Sequence, residues 1–209
     1  MQQTVQVAIG LHITRLPHVK NAILDGTFHQ FDCTSCGKRI EVRIPIIYTD
    51  FDRGHWIEVR PDDEIAQWAE LAPVAAATFE RAVVHGAPIL RSRVEAFMTR
   101  LVFGYAELRE KVLVFDAGID DRAVECLKLL AIRTDPSRFG FQDRLLVQAI
   151  AGDELAIARH RGHEIVEVRT VRATAADLAD AHATAEAVID PPFTDPFVSI
   201  NRAIGAYAR

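Results

Sequence analysis

The chain has 209 residues, 49% of them hydrophobic and 25% charged, with a formal net charge of −5 and three cysteines. This length suits one large or two small domains, and the apolar share supplies a packed core, which argues against intrinsic disorder. The acidic balance argues against nucleic acid as a partner, because phosphate binding wants a basic face, and three cysteines cannot build a disulfide scaffold.

Val5, Val7, Ile9, Leu11 and Ile13 alternate with small or polar residues, a period of two that predicts a strand with one buried face. No basic leader precedes an apolar run there, so it does not read as a secretory signal, and no stretch reaches the ~18 apolar residues of a membrane span. The expected location is the cytoplasm, where thiols stay reduced. Pro17 ends the strand, residues 16–24 form a helical turn, and Gly26 resets the chain. Ile40, Val42 and Ile44, continued by residues 46–48, predict a second strand, residues 50–54 a turn, and residues 55–59 a third strand. The first third reads as a small antiparallel β unit.

The middle reads as helical. Pro61 followed by Asp62, Asp63 and Glu64 opens a helix with acidic residues at the positive end of its dipole, and Ile65, Trp68, Ala69 and Ala72 mark the inner face. Pro73 starts a further run that Gly86 stops. Val94, Phe97, Met98, Leu101, Val102, Tyr105, Leu108 and Val112 keep helical spacing, and Gly118 closes that helix. Asp120 or Asp121 caps the next, with Val124, Leu127, Leu130 and Ala131 inward. Residues 134–140 are the expected boundary. Residues 145–150, 154–159 and 164–171 predict three strands of an antiparallel meander, joined at Gly152-Asp153 and Arg161-Gly162. An alanine-rich helix over 174–188 follows, and Asp195-Pro196 opens a last one to about Tyr207.

One motif carries chemistry. Cys33-Thr34-Ser35-Cys36-Gly37 has the form of a zinc knuckle: the spacing lets both sulfurs reach one ion, and the glycine lets the backbone turn beneath it. Cys33 and Cys36 are therefore the candidate metal ligands and zinc the candidate cofactor. A structural zinc needs four ligands, and four accounts stay open. Histidines of the same chain complete the site, His160 and His163 being the best spaced; or two chains share it; or the knuckle has lost its metal and kept its turn; or the pair is a redox dithiol. The last suits the sequence least, because a thioredoxin-like pair opens a helix, whereas this one leads into a strand. His29 would lie about 13 Å from Cys33 along a strand and is a poor partner. Cys126, among apolar helix residues, reads as a buried small hydrophobe.

The acidic groups are weaker signals. Asp50, Asp52 and His55 could serve acid–base work or bind a metal, but a polar hairpin turn explains them as well. Asp120 and Asp121, with Asp116, Glu107 and Glu110 nearby in sequence, could form an acidic site, but a helix stop and a capped start also account for them. Glu107 and Lys111 are spaced as a surface helix pair, and Trp56 and Trp68 read as core. No phosphate loop, nucleophile elbow or HExxH zinc motif occurs.

Two blocks point to a family. The first is Ile13-Thr14 through Pro17, Lys20, residues 23–26, Phe31, Cys33-x-x-Cys36-Gly37, Pro45, Tyr48 and Asp50. The second is Phe103-Gly104-x-x-Glu107-Leu108-x-Glu110-Lys111 followed by Phe115-x-Ala117-Gly118-Ile119-Asp120-Asp121-Arg122. Together they resemble the CpXC-motif proteins of bacteria over roughly residues 4–132. The resemblance implies two cysteine pairs forming a zinc ribbon. Cys33 and Cys36 match the second pair, and the first, Cys-Pro-x-Cys, is absent: either the chain starts downstream of it or this member has lost it. The family brings an architecture and no established reaction.

The expected fold is α+β: a zinc-ribbon-like antiparallel β unit, a helical middle and a C-terminal antiparallel meander with helices. Residues 1–134 are the expected CpXC-like domain, and 135–209 a C-terminal region that can belong to the same globule. The expected function is a non-catalytic binding or assembly module with a protein partner or self-association, a homodimer included, and neither nucleic acid nor membrane. The alternative is an enzyme using Asp50, Asp52 and His55, or Asp120 and Asp121.

Overall fold

The computed structural model describes residues 4–86, 97–140, 143–162, 164–185 and 193–201. The fold is α+β, as expected, with two compact units, residues 1–109 and 110–209.

The first unit is built on a four-stranded sheet in the order β1-β4-β5-β6 and a two-stranded ribbon, β2-β3. Its strands are β1 (Gly10–His12), β2 (Gln30–Asp32), β3 (Arg39–Glu41), β4 (Ile46–Asp50), β5 (His55–Arg60) and β6 (Met98–Phe103). The sheet is mixed, which corrects the antiparallel expectation. β4 and β5 form a hairpin, whereas β1 pairs parallel to β4 and β5 parallel to β6. Parallel neighbours need a long crossover. Helix α1 (Pro17–Leu24) and the ribbon occupy the first crossover; a 3-10 segment (Asp62–Gln67) and helix α2 (Trp68–Phe79) occupy the second. Pro73 lies inside α2 rather than opening a new helix.

The alternating stretch 5–13 yields a strand of only three paired residues, since β4 offers partners from Ile47 to Thr49 alone. Pro45 splits the expected second strand into β3 and β4. The largest correction falls at residues 98–103. Their apolar spacing suggested a helix, but they form β6, whose last four residues are all buried. A strand covered on both faces loses its period of two and reads ambiguously. Gly104, at φ +83°, then turns the chain, and a Cβ there would stand 3.1 Å from the Asp62 carboxyl carbon. Val94 lies outside the described residues.

Helix α3 (Tyr105–Asp116) carries residues of both units. Gly118, at φ +69°, ends it: its N–H donates to the Phe115 carbonyl, and Ile119 donates to that of Val114. In the second unit Asp120 caps helix α4 (Asp121–Thr134), its carboxylate accepting from the Arg122 N–H at 2.9 Å. Strands β7 (Asp143–Ala151), β8 (Glu154–Arg161) and β9 (Glu164–Arg172) form the expected antiparallel meander, in the order β7-β8-β9. Helix α5 (Ala175–Ala185) starts on a reciprocal cap, with the Thr174 hydroxyl accepting from the Asp177 N–H and the Asp177 carboxylate accepting from that of Thr174. The α4 face buries Asp121, Val124, Glu125, Lys128, Leu129 and Ile132, not the purely apolar set expected. The last helix expected from Asp195-Pro196 does not form over residues 195–200, where Phe197, Val198 and Ile200 are buried in irregular chain, and residues 202–209 lie outside the described residues.

Candidate functional site

The knuckle crowns the β2-β3 ribbon. The strands pair Gln30 with Glu41, Phe31 with Ile40 and Asp32 with Arg39. The ladder continues into the turn, where the Cys33 N–H donates to the Lys38 carbonyl at 2.9 Å and the Gly37 N–H to the Cys33 carbonyl at 2.8 Å. Gly37 sits at φ +68°, which suits a residue without a Cβ. Cys36 is exposed and Cys33 half-buried. The Ser35 hydroxyl lies 3.1 Å from the Cys33 sulfur. That hydroxyl, the Ser35 and Cys36 amides, and the Cys36 side chain together bring the Cys33 thiol down to about 7. The turn thus favours the thiolate, the form that binds metal and acts as a nucleophile.

The root of the ribbon is held by a histidine. His29 is buried and adopts φ +54°, alone among the described non-glycine residues in having a positive φ. Its ring stacks on Phe28 at 3.9 Å, and its Nδ1 lies 2.8 Å from the Tyr105 hydroxyl, which donates to the Val42 carbonyl at 3.0 Å. With the tyrosine proton committed to Val42, Nδ1 carries the imidazole hydrogen. Burial lowers the His29 pKa and so keeps the ring neutral. The Val42 N–H donates back to the His29 carbonyl. Sequence reasoning weighed His29 only as a ligand and missed this anchoring role; a histidine three residues beyond Gly26 gives no signal for a left-handed backbone.

A family model described as CpXC protein matches residues 2–128. The chain belongs to the CpXC family. Neither a curated protein nor a solved structure matches it. In this CpXC chain the matched span takes in the knuckle, the four-stranded sheet and helix α3, and ends at Lys128.

The remaining sequence candidates come together only in part. Asp50 and His55 face each other as register partners across the β4–β5 hairpin, both buried, and the Asp50 carboxylate accepts from the Arg53 N–H in the turn. Asp52 accepts from the Thr14 hydroxyl at 3.0 Å on the exposed side. His160 is half-buried and 3.0 Å from the Gln148 amide, while His163 lies outside the described residues. Cys126 is fully buried, as expected. Among the described residues no group of three or more His, Cys, Asp or Glu side chains could hold a metal ion.

The acidic block of the second unit is a buried ion network. Lys111 reaches Asp121 at 2.8 Å and Glu125 at 3.3 Å and donates to the Val198 carbonyl at 2.8 Å. Lys128 pairs with Glu110 and, at 2.8 Å, with Glu125. Glu110 accepts from the Val147 N–H and Glu125 from that of Ile200. Burial pulls both lysines down, but the surrounding carboxylates outweigh it and hold both amines protonated. Glu107 and Lys111 were expected to form a surface pair. They are 3% exposed; Glu107 accepts from the Phe103 N–H, and Lys111 serves the network. The spacing was right for a helix and silent about which face is covered.

The second unit also has an open cleft of about 720 Å³ lined by alanines, Ile119, Ile150 and Leu178, with Asp120, Asp153 and His182. No described helix is long and apolar enough to cross a membrane.

Proposed function

We propose that this CpXC chain is a non-catalytic binding or assembly module of a reducing compartment, in which Cys33 and Cys36 hold a structural zinc. The supporting observation is the Cys33 sulfur, to which the turn supplies a hydroxyl and two amides as donors. Such donors stabilise a thiolate for a metal. Two thiolates fit one half of a tetrahedral zinc site, and two further ligands must complete it. Zinc there would tie the turn and stiffen the ribbon; no residue in this reading transfers a group or a proton. In support of a structural role, Asp50 holds its turn, Asp120 caps α4 and Asp121 joins the ion network.

The test is zinc per chain by elemental analysis, on the wild type and on C33S/C36S, with the mass of the particle measured alongside. One zinc per chain supports a site completed within one chain, and one per two chains a shared site. A metal-free wild type, or a C33S/C36S variant that keeps its zinc, overturns the reading.

A further inference from the structure

We propose that His29 is a proton-operated latch for the ribbon that carries the knuckle: a neutral ring holds the ribbon at its root, and a protonated ring lets it go. The latch adds a control to the assembly reading but does not require zinc at the knuckle.

The ribbon is fastened at one end. All three residues of β3 are exposed, Ile40 to 49%, and none of β2 is buried. A segment that buries so little against its surroundings opens at small cost, so the hold falls to the root. There the Tyr105 hydroxyl donates to the Val42 carbonyl at 3.0 Å, and accepts from the Ile44 N–H at 3.4 Å and from His29 Nδ1 at 2.8 Å. One phenol thus ties the residue before β2 to the residues after β3. Phe28 backs both rings, stacked on His29 at 3.9 Å and edge-on to Tyr105 at 5.0 Å.

The same geometry makes the root intolerant of a second ring proton. His29 is 9% exposed, and among the described residues its buried Nε2 has no hydrogen-bond partner. A neutral ring leaves only an unmet acceptor there. Protonation turns Nε2 into a donor with nothing to bond and puts a full charge in a buried ring, which costs more. Tyr105 is the titratable group that touches the ring. Glu41 and Arg43 after β3, and Asp62 on the 3-10 segment, bear on the Tyr105 phenol, but Arg43 bonds Glu41 at 2.7 Å and faces Asp62 at 3.6 Å. On the ribbon Asp32 pairs with Arg39, and beside α1 Asp25 faces Arg109, which donates to the Leu24 carbonyl. Among the described residues none of these charges bonds the imidazole. Burial lowers the pKa of the ring, with the Val42 carbonyl opposing.

The backbone supplies the way out. At φ +54° His29 holds a conformation that is unfavourable for a residue with a Cβ. A charged ring reaches water when φ relaxes to the negative side, and the strain is released with it. That rotation withdraws the His29 carbonyl from the Val42 N–H, bonded at 2.9 Å, and unties the strands. A histidine depressed in the held form favours holding above its ordinary value of 6.5, and loses that preference as pH falls towards the depressed value.

The test is hydrogen exchange of the full chain in a zinc chelator, with each rate divided by that of unstructured chain at the same pH. Between about pH 7.5 and about pH 5, protection of the Cys33 and Val42 amides should fall about tenfold while that of β5 holds. His29→Asn takes no proton and tolerates a left-handed backbone. Its ribbon should show the same protection at both pH values, with unchanged circular dichroism. Cys33 also titrates in this range and is present in both proteins. The wild-type ring gives an independent reading by NMR of histidine-labelled protein. Its midpoint should lie below 6.5, and the loss of protection should begin near 6.5 and level off at that midpoint. Protection that does not change with pH in the wild type, a loss that persists in His29→Asn, or a ring midpoint at or above 6.5 overturns the proposal. Zinc content reads the knuckle separately, so either conclusion can fail without the other.

Discussion

Lys128→Met isolates the buried charge in the second unit. Methionine keeps most of the side-chain volume and removes only the ammonium. Lys128 is 1% exposed and neutralises Glu110 and Glu125, themselves 2% and 1% exposed. In the wild type three carboxylates (Glu110, Asp121, Glu125) face two ammonium groups, a net charge of −1. The variant raises this to −2 and leaves Glu110 with the Val147 N–H and no paired cation. Breaking a buried pair from one side costs about 3–5 kcal/mol, which a unit of this size can scarcely carry. With a urea slope of about 2 kcal/mol per molar, the unfolding midpoint should fall by about 2 M. Adding Glu110→Gln removes the orphaned charge and keeps an acceptor for Val147, so the double variant should recover more than half the loss. Burial already holds the Glu110 carboxyl above its ordinary value. A carboxyl raised on folding stabilises below its unfolded value, and that contribution is lost as pH rises through the folded one. The single variant should therefore be relatively more stable at acid pH than at neutral pH. Urea unfolding followed by circular dichroism at both pH values decides it. A loss under about 1 kcal/mol with no recovery in the double variant would mean that these charges are not desolvated as described.

Two further outcomes follow from single residues. Asp143 accepts from Arg161, Arg159 and the Gly140 N–H, and the Arg161 bond above all holds its carboxyl down to about 2. A carboxyl depressed on folding stabilises above its unfolded value, and the contribution is lost as pH falls towards the folded one. Asp143→Asn should thus weaken the protein at neutral pH and flatten its stability between about pH 4 and 2, read by thermal melts across that range; an unchanged acid limb would exclude the bond. At the knuckle, metal-free Cys33 should alkylate with half-maximal rate near pH 7, and Ser35→Ala should move that midpoint upward. Mass spectrometry of iodoacetamide-treated protein measures it, and an unmoved midpoint would remove Ser35 as a donor.

The sequence by itself determined the elements whose signals are local. The C-terminal meander was legible because turn residues at Gly152-Asp153 and Arg161-Gly162 separate stretches of strand-forming residues. The end of α3 at Gly118 and the cap at Asp120 were legible because backbone geometry and capping depend on the residue at that position. The Cys33-x-x-Cys36-Gly37 turn was legible for the same reason, and so was the CpXC family.

Tertiary structure decided whatever depends on what covers a residue. Met98–Phe103 became a strand because β5 offers it a parallel edge, and burial on both faces erased the alternation that would have announced it. The mixed sheet followed from two crossovers, which periodicity does not encode. Lys111 was expected in a surface pair and Lys128 carried no signal, yet both are buried because carboxylates from α3 and α4 surround them. A charge can be buried only where partners converge, and convergence is a property of the folded chain rather than of any segment.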